Sequence, residues 1–386
     1  MYYNAKEYKL HEPEVALTEF KRVTETENAV RKVTEFGFKA LKQTIKLSLK
    51  LNHFDNINEA TPLLVSHFNK INRNYLEKSV NNILDSLSAN LALLNQQFST
   101  LEYIYNSILD ALREQNNERL WIKSGIKLAN IYMKRGSYDK ANRVTEVLHE
   151  SCLDSTGNDD ITTKSYYLLE IYALRIQLCS LINDDYNLRK LYQKTLDIST
   201  GVLAHPRILG VIRECGGKMY MKDRKFDLAL EDFFESFKNY DEAGDNRRIQ
   251  VLKYLILASM LSENDINPFD SQEIKPYTTN NEILVVKNLV DAFQSEDIDG
   301  FINILATNKT DPVFMDKFIQ PFLDGLVSTL RSQTLITLIK PYKRVKLSFL
   351  ARRLGTETTE EVRSLAVDLI LDGRLGPEIK IDDINQ

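Results

Sequence analysis

The sequence predicts an all-α protein in which an α-solenoid of helical hairpins leads into a C-terminal winged-helix module with a small β-wing. The 386 residues include only 14 Gly and 9 Pro, fewer than a turn-rich β-sandwich or barrel requires. Apolar residues follow the helical period, as at Phe38, Leu41, Ile45 and Leu49. A short break followed by proline or an aromatic residue also recurs at spacings of 40 to 48 residues.

The recurring breaks define the predicted repeats. Their anchors are Pro13, Phe54, Phe98, Tyr138, Tyr186 and Phe226. Two copies are sharper than the rest, because Tyr132 precedes Ala141 and Tyr220 precedes Ala229 by the nine-residue step of tetratricopeptide repeats. Each hairpin has an apolar face that it cannot bury alone, so neighbouring hairpins stack and leave a surface for partners. We therefore predict a TPR-like helical repeat arm over residues 1–275.

The remaining segment, residues 276–386, is predicted to be a separate domain. Two prolines, Pro268 and Pro276, interrupt the helical period ahead of it. Further helices are expected over residues 276–340, and a winged helix over residues 341–386. In that module, residues 344–347 alternate as a short strand, Thr358 and Glu361 form a capping box, and a second strand ends at residues 379–381.

The sequence contains no arrangement of residues typical of a catalytic or metal site. The five histidines are scattered without a metal-binding spacing, and no phosphate-binding glycine loop or nucleophile elbow is present. Cys215 has no histidine near it in sequence, and three distant cysteines do not make a disulfide framework. No stretch reads as a signal peptide or a membrane span. We therefore predict a protein of a reducing compartment with no catalytic residues, metal or membrane partner.

Basic residues are the candidate binding groups. Lysines recur along one face of a helix from Lys39 to Lys50, and a second acid-free run begins at Arg119. The candidate partner-binding residues are Lys39, Lys42, Lys46, Lys70, Arg73, Arg119, Lys123 and Lys127. Two interpretations remain open: a solvated helix face, or a surface that captures an acidic protein or a polyanion such as an inositol polyphosphate. No other cofactor is predicted.

The winged helix is predicted to contact protein rather than nucleic acid. Its second helix has a net charge of -3 between residues 358 and 372, which opposes binding to phosphates. Short edge strands expose backbone groups that can pair with a neighbouring subunit. The residues predicted for that contact are Val345, Leu347, Ile379 and Ile381.

A helical array that runs into a winged helix resembles the PCI family, the scaffold subunits shared by the proteasome lid, the signalosome and an initiation factor. The segments 37–43, 210–219, 237–242 and 266–273 are most similar to signalosome members, with a proteasome lid subunit as the nearest other relative. The resemblance implies a PCI domain at residues 276–386 that contacts other PCI subunits, in a cytoplasmic and nuclear protein.

The resemblance also implies a non-catalytic function. An arm that grips a cullin-RING ubiquitin ligase would position the cullin so that a separate metalloprotease subunit removes its ubiquitin-like modifier. The alternatives are a scaffold subunit of the proteasome lid and a winged-helix protein that binds nucleic acid. Family members usually carry an acidic N-terminal tail and a helix beyond the wing, so we expect this chain to be truncated relative to them.

Overall fold

The computed structural model describes residues 1–9, 11–30, 35–90, 97–154, 156–202, 204–262, 268–308, 314–356, 358–376 and 379–381. The chain divides into two compact units, Met1–Ile182 and Asn183–Gln386. In both units the described residues form α-helices joined by turns, and these residues include no β-strand. The prediction of an all-α fold is therefore confirmed.

The first unit is a series of helices that pack against helices one or two positions away along the chain. Its helices are α1 (Tyr2–Tyr8), α2 (Pro13–Val30), α3 (Glu35–Leu51), α4 (Phe54–Ser66), α5 (Arg73–Ser88), α6 (Phe98–Glu114), α7 (Glu118–Arg135), α8 (Tyr138–Glu150) and α9 (Ser165–Ile182). A 3₁₀ turn at Phe68–Lys70 precedes α5.

The second unit continues with long hairpins and ends in shorter helices. Its helices are α10 (Asp185–Ser199), α11 (Pro206–Lys222), α12 (Phe226–Glu242), α13 (Arg247–Leu261), α14 (Asn281–Gln294), α15 (Ile298–Thr307), α16 (Gln320–Ile339), α17 (Leu347–Arg353) and α18 (Thr359–Leu371). The two prolines that interrupt the helical period lie in 3₁₀ turns at Pro268–Asp270 and Lys275–Thr279.

The predicted anchors mark the starts of helices. Every anchor except Tyr186 is the first residue of a helix, and Tyr186 is the second residue of α10. A residue with positive φ often stands two positions ahead of the new helix, as at Asn52 (φ 56°), Gly136 (φ 79°) and Arg224 (φ 57°). A left-handed residue ends one helix and lets the chain reverse into the next.

Glycines allow two hairpins to pack closely. A Cβ atom on Gly125 of α7 would lie 2.7 Å from Cδ2 of Leu148 on α8. A Cβ atom on Gly217 of α11 would lie 2.6 Å from the ring of Phe233 on α12. Both distances are well below van der Waals contact, so the helices approach where the side chain is missing.

A buried ionic network joins α11, α12 and α13 in the second unit. The Glu214 carboxylate accepts from Lys218 Nζ at 2.7 Å, Arg247 Nη2 at 3.3 Å and the Tyr240 hydroxyl at 2.8 Å. Burial opposes ionisation of Glu214, but the two cations outweigh it and hold its pKa below the ordinary value. Lys218 also lies 4.8 Å from the Tyr254 ring centroid. The network satisfies charges that would otherwise be costly to bury.

The C-terminal helices follow the predicted capping pattern. Thr358 is the N-cap of α18 and its Oγ1 accepts from the backbone N–H of Glu361 at 3.3 Å. Gly355 (φ 59°) and Gly373 (φ 71°) follow α17 and α18 in left-handed conformations. The predicted cap at Thr358 is therefore confirmed, and left-handed glycines follow both helices.

The predicted strands of the wing are wrong within the described residues. Leu347 is the first residue of α17, and neither residues 344–346 nor residues 379–381 form a strand. The backbone N–H of Ile379 instead bonds to the carbonyl of Gly376 at 3.1 Å. The alternation that suggested a strand arises because Val345 and Leu347 pack side chains onto the core of the unit. Residues 377–378 of the predicted wing turn lie outside the described residues.

Candidate partner-binding surface

Two predicted lysines meet over one aromatic ring. The Nζ atoms of Lys39 and Lys42 on α3 lie 5.8 and 5.4 Å from the ring centroid of Tyr75 on α5. Lys39 Nζ also lies 5.2 Å from the centroid of Phe36. An ammonium group is attracted to the face of an aromatic ring at these distances. The packing of α3 against α5 therefore concentrates positive charge at one place.

The two lysines have different environments. Lys39 pairs with Glu35 at 3.0 Å on its own helix, and this hydrogen bond raises the pKa of Lys39. Lys42 is half-buried and donates to Ser79 Oγ at 3.0 Å, while burial and then the charge of Lys46 lower the pKa of Lys42. Lys39 can exchange its exposed partner for a carboxylate or phosphate of a ligand. Lys42 has less freedom and supports the local potential.

Two further predicted cations lie around the start of α5. Lys70 is exposed at the end of the 3₁₀ turn, whose Phe68 packs 6.4 Å from the Phe38 ring of α3, centroid to centroid. The Arg73 side chain is 64% exposed, and its Nη2 donates to Asn117 Oδ1 at 3.1 Å. Both charges are accessible to a partner. We call Lys39, Lys42, Lys70 and Arg73 the basic surface.

The second predicted run, on α7, is less available. Arg119 is exposed and Lys123 is half-buried. Lys127 Nζ lies 2.6 Å from an Asp85 carboxylate oxygen and 3.2 Å from Asn81 Oδ1, both on α5. The carboxylate compensates the charge of Lys127 and ties α7 to α5. Arg119 is therefore the most accessible cation of the three.

Lys46 is in a different place from the basic surface. It lines a cavity with Lys9 and Lys50 at the other end of α3. Sequence reasoning did not select Tyr75, the ring that organises the basic surface, or Lys9. Phe36 and Tyr75 are aromatic residues that lie close in sequence to the basic residues, and this proximity was an available signal for the aromatic contacts. Nothing in the sequence links Lys9 to α3.

The four residues predicted for subunit contact share one environment. They are partly buried and pack against the core of the second unit. These residues are Val345, Leu347, Ile379 and Ile381. Their side chains stabilise the module itself, so only part of each is left for a partner.

The described ranges contain no group of three or more His, Cys, Asp or Glu side chains that is arranged to hold a metal ion. No helix in the same ranges is long and apolar enough to cross a membrane. Two of the cysteines, Cys152 and Cys215, are buried, and burial raises the pKa of the Cys152 thiol.

The similarity of this chain to known proteins identifies its family. The family model of the PCI domain matches residues 305–386. "COP9 signalosome complex subunit 2" of Drosophila melanogaster is 44% identical over 388 residues, covering 100% of this chain and 84% of the relative. The protein of the same name in Schizosaccharomyces pombe is 41% identical over 387 residues, covering 100% of this chain and 86% of the relative. "Probable 26S proteasome regulatory subunit rpn-6.2" of Caenorhabditis briggsae is 28% identical over 182 residues, or 46% of this chain. The resemblance to signalosome members of the PCI family is confirmed, and the chain belongs to the COP9 signalosome complex subunit 2 family.

Proposed function

We propose that this chain is a non-catalytic scaffold subunit of a signalosome. It binds a cullin-RING ubiquitin ligase and positions the neddylated cullin for a separate metalloprotease subunit. The observation that carries the proposal is similarity to signalosome subunit 2 proteins along the whole chain, including both the arm and the PCI domain. The similarity to a proteasome subunit covers less than half of the chain, which disfavours a lid subunit.

The basic surface is proposed to bind the ligase, directly or through an inositol polyphosphate. Exposed Arg73 and Lys70 supply accessible charge, and the Tyr75 ring holds Lys39 and Lys42 side by side. Cations on an aromatic platform suit an acidic protein surface or clustered phosphates. Arg119 extends this charge along the array, whereas Lys127 contributes little because it is paired.

The PCI domain is proposed to contact other PCI subunits at the surface around Val345 and Ile379. Substituting these half-buried residues would also disturb the fold. Exposed lysines next to them in sequence, Lys346 and Lys380, are better probes. Lys346→Glu with Lys380→Glu should reduce co-purification with a neighbouring PCI subunit. If co-purification is unchanged while ligase binding is normal, this surface does not contact the neighbouring PCI subunit.

Reconstitution tests the proposal as a whole. A signalosome assembled from purified subunits should lose removal of the modifier from a neddylated cullin-RING ligase when this chain is omitted, and regain it on addition. The chain alone should bind the ligase and release no modifier. Failure to bind any cullin-RING ligase, or release of modifier by the isolated chain, would contradict the scaffold function. We expect the protein in both cytoplasm and nucleus.

A further inference from the structure

Another group of cations lies in the PCI domain, in the turn before α17 and on α17 itself. Residues 340–356 contain six Lys or Arg residues and no Asp or Glu. All six cations are exposed, and among the described residues none of them forms an ion pair. These cations are Lys340, Lys343, Arg344, Lys346, Arg352 and Arg353.

Two exposed aromatic rings lie among these cations. Tyr342 is 49% exposed and Phe349 is 38% exposed. Their ring centroids are 6.1 Å apart and their planes are inclined at 68°. The guanidinium carbon of Arg353 lies 6.0 Å from the centroid of Phe349. The turn before α17 therefore brings two rings and a cation together at the surface. We call the two rings and the six cations the α17 surface.

The stability of the module accounts for only part of this charge. Arg352 and Arg353 are in the last turn of α17, where cations interact favourably with the free carbonyl groups. Lys346 is the N-cap of the same helix, where a positive charge is unfavourable. Val345 and Leu347 pack onto the core and leave the intervening Lys346 exposed. The fold therefore requires the apolar residues of this turn, but it does not require the charges.

Acids of neighbouring elements do not neutralise the α17 surface. Asp299 of α15 lies 3.5 Å from the position of a Cβ atom on Gly355, just after α17, but it pairs with none of the described cations. Glu360 in the first turn of α18 pairs with Arg363 of its own helix at 3.0 Å. Residues 358–372, which include α18, have a net charge of -3. A polyanion that contacts α18 is therefore repelled, whereas one that follows α17 and the turn before it meets only cations.

We propose that the α17 surface binds a short stretch of single-stranded nucleic acid. Its cations can contact the phosphates along the strand, and its two rings can stack on unpaired bases. In a duplex the bases already stack on one another, and α18, the helix that would enter the major groove, is acidic. An acidic protein segment can pair with the cations but gains nothing from the ring faces. A single strand is the partner that uses both kinds of group, and its binding does not depend on the proposed binding of the ligase.

Fluorescence polarisation of a labelled oligouridylate of about 12 nucleotides with the whole chain tests the proposal. Lys343→Gln/Arg344→Gln/Arg352→Gln removes three exposed charges and should weaken binding at least about tenfold at about 0.1 M salt. This variant should also reduce the slope of log Kd against log salt concentration by about 2, because each phosphate contact on a single strand contributes about 0.7. Lys346 is left unchanged because it borders the surface proposed for a neighbouring PCI subunit. A matched control removes the same charge at three other exposed positions of the second unit and should bind as wild type does. Its substitutions are Lys190→Gln, Lys225→Gln and Lys275→Gln.

Substitution of the rings separates stacking from charge. Tyr342→Leu/Phe349→Leu keeps two apolar side chains but removes both ring faces, so affinity should fall at least about fivefold. The salt slope should remain that of wild type, because no cation is lost. Tyr342→Phe keeps the ring and should bind as wild type does. Should the double variant unfold, Tyr342→Leu alone, at the more exposed ring, gives the same test.

The kind of strand and the competing partner need separate comparisons. An oligothymidylate of the same length distinguishes DNA from RNA, and tighter binding of either supports the proposal if both the charge and the ring variants weaken it. Loss of affinity in the charge variant but not in the ring variant would overturn the proposal and favour an acidic protein segment, which a labelled polyglutamate would then mimic. Absence of saturable binding, or binding that only substitution of Lys39, Lys70 and Arg73 weakens, would also overturn it. None of these results bears on binding of the ligase, which is measured with the ligase itself.

Discussion

Reversing three charges of the basic surface should weaken binding to a cullin-RING ligase without unfolding the arm. The substitutions are Lys39→Glu, Lys70→Glu and Arg73→Glu. Lys42 is left unchanged because it is half-buried and bonded to Ser79, so a carboxylate there would be costly to accommodate. Lys70 and Arg73 are exposed, and the Lys39 side chain is 30% exposed.

The expected loss follows from the exposure of these groups. An exposed ion pair contributes about 0.2 to 1 kcal/mol, so three lost pairs give about 0.6 to 3 kcal/mol, or about 3- to 150-fold in Kd. Reversal adds repulsion and favours the upper part of this range. Within the chain, Lys39→Glu places two glutamates four residues apart with Glu35, and Arg73→Glu does the same with Glu77; each such pair costs about 0.2 to 0.5 kcal/mol. Arg73→Glu also removes the hydrogen bond to Asn117. The arm should therefore stay folded but lose some stability, which urea unfolding of the variant measures.

Fluorescence polarisation with a labelled cullin-RING complex measures the Kd at several salt concentrations. The control variant, Lys190→Glu/Lys225→Glu/Lys275→Glu, makes an equal change in net charge at exposed positions of the second unit. It should bind as wild type does, and the wild-type affinity should fall as salt rises. If the Lys39/Lys70/Arg73 variant binds with wild-type affinity at low salt, the reasoning is refuted. These cations would then be only solvated surface charges.

Three predictions concern the stability of the second unit, measured by urea unfolding. Glu214→Gln should lower the free energy of unfolding by about 3 to 5 kcal/mol at neutral pH, because two cations lose their carboxylate. Since the Glu214 pKa is held below the ordinary value of a glutamate, about 4.5, this difference should shrink as the pH falls below that value; a pH-independent difference would contradict the ionic role. Gly217→Ala should cost about 1 to 3 kcal/mol through its contact with Phe233, whereas Gly325→Ala, with its nearest neighbour at 3.7 Å, should be neutral or stabilising. Thr358→Ala should cost about 0.5 to 2 kcal/mol and speed amide exchange in α18, and Thr358→Ser should retain the cap.

The helical architecture could be predicted from the sequence because the sequence signals that specify helices are local. A proline or aromatic residue after a break identifies a helix start, and Thr358 with Glu361 specifies a cap within four residues. The prediction of the wing strands was wrong because the alternation of Val345 and Leu347 is compatible with two different structures. Pairing with another strand and packing onto a nearby core both place every second side chain inward, and only the tertiary contacts decide between them.

The candidate site could be predicted from the sequence only in part, for a related reason. A helical stripe shows that Lys39, Lys42 and Lys46 share one face of α3, but not which element packs against each of them. In the structure, Lys39 and Lys42 lie against the ring of Tyr75, whereas Lys46 lines the cavity near Lys9. These neighbours are more than thirty residues away in sequence, so their contacts depend on how the hairpins stack.

Helix α11 explains why residues 210–219, one of the four segments that resemble signalosome members, say more about the fold than about partners. Arg213 pairs with buried Asp232 at 2.7 Å, and Glu214 joins two cations in the buried network. Gly217 allows α12 to approach closely. Each of these interactions restricts which side chains can occupy α11, because a change leaves a buried charge unpaired or forces the helices apart. Exposed cations such as Arg73 face no such packing restriction, so ligase binding must be tested on the basic surface directly rather than inferred from similarity in α11.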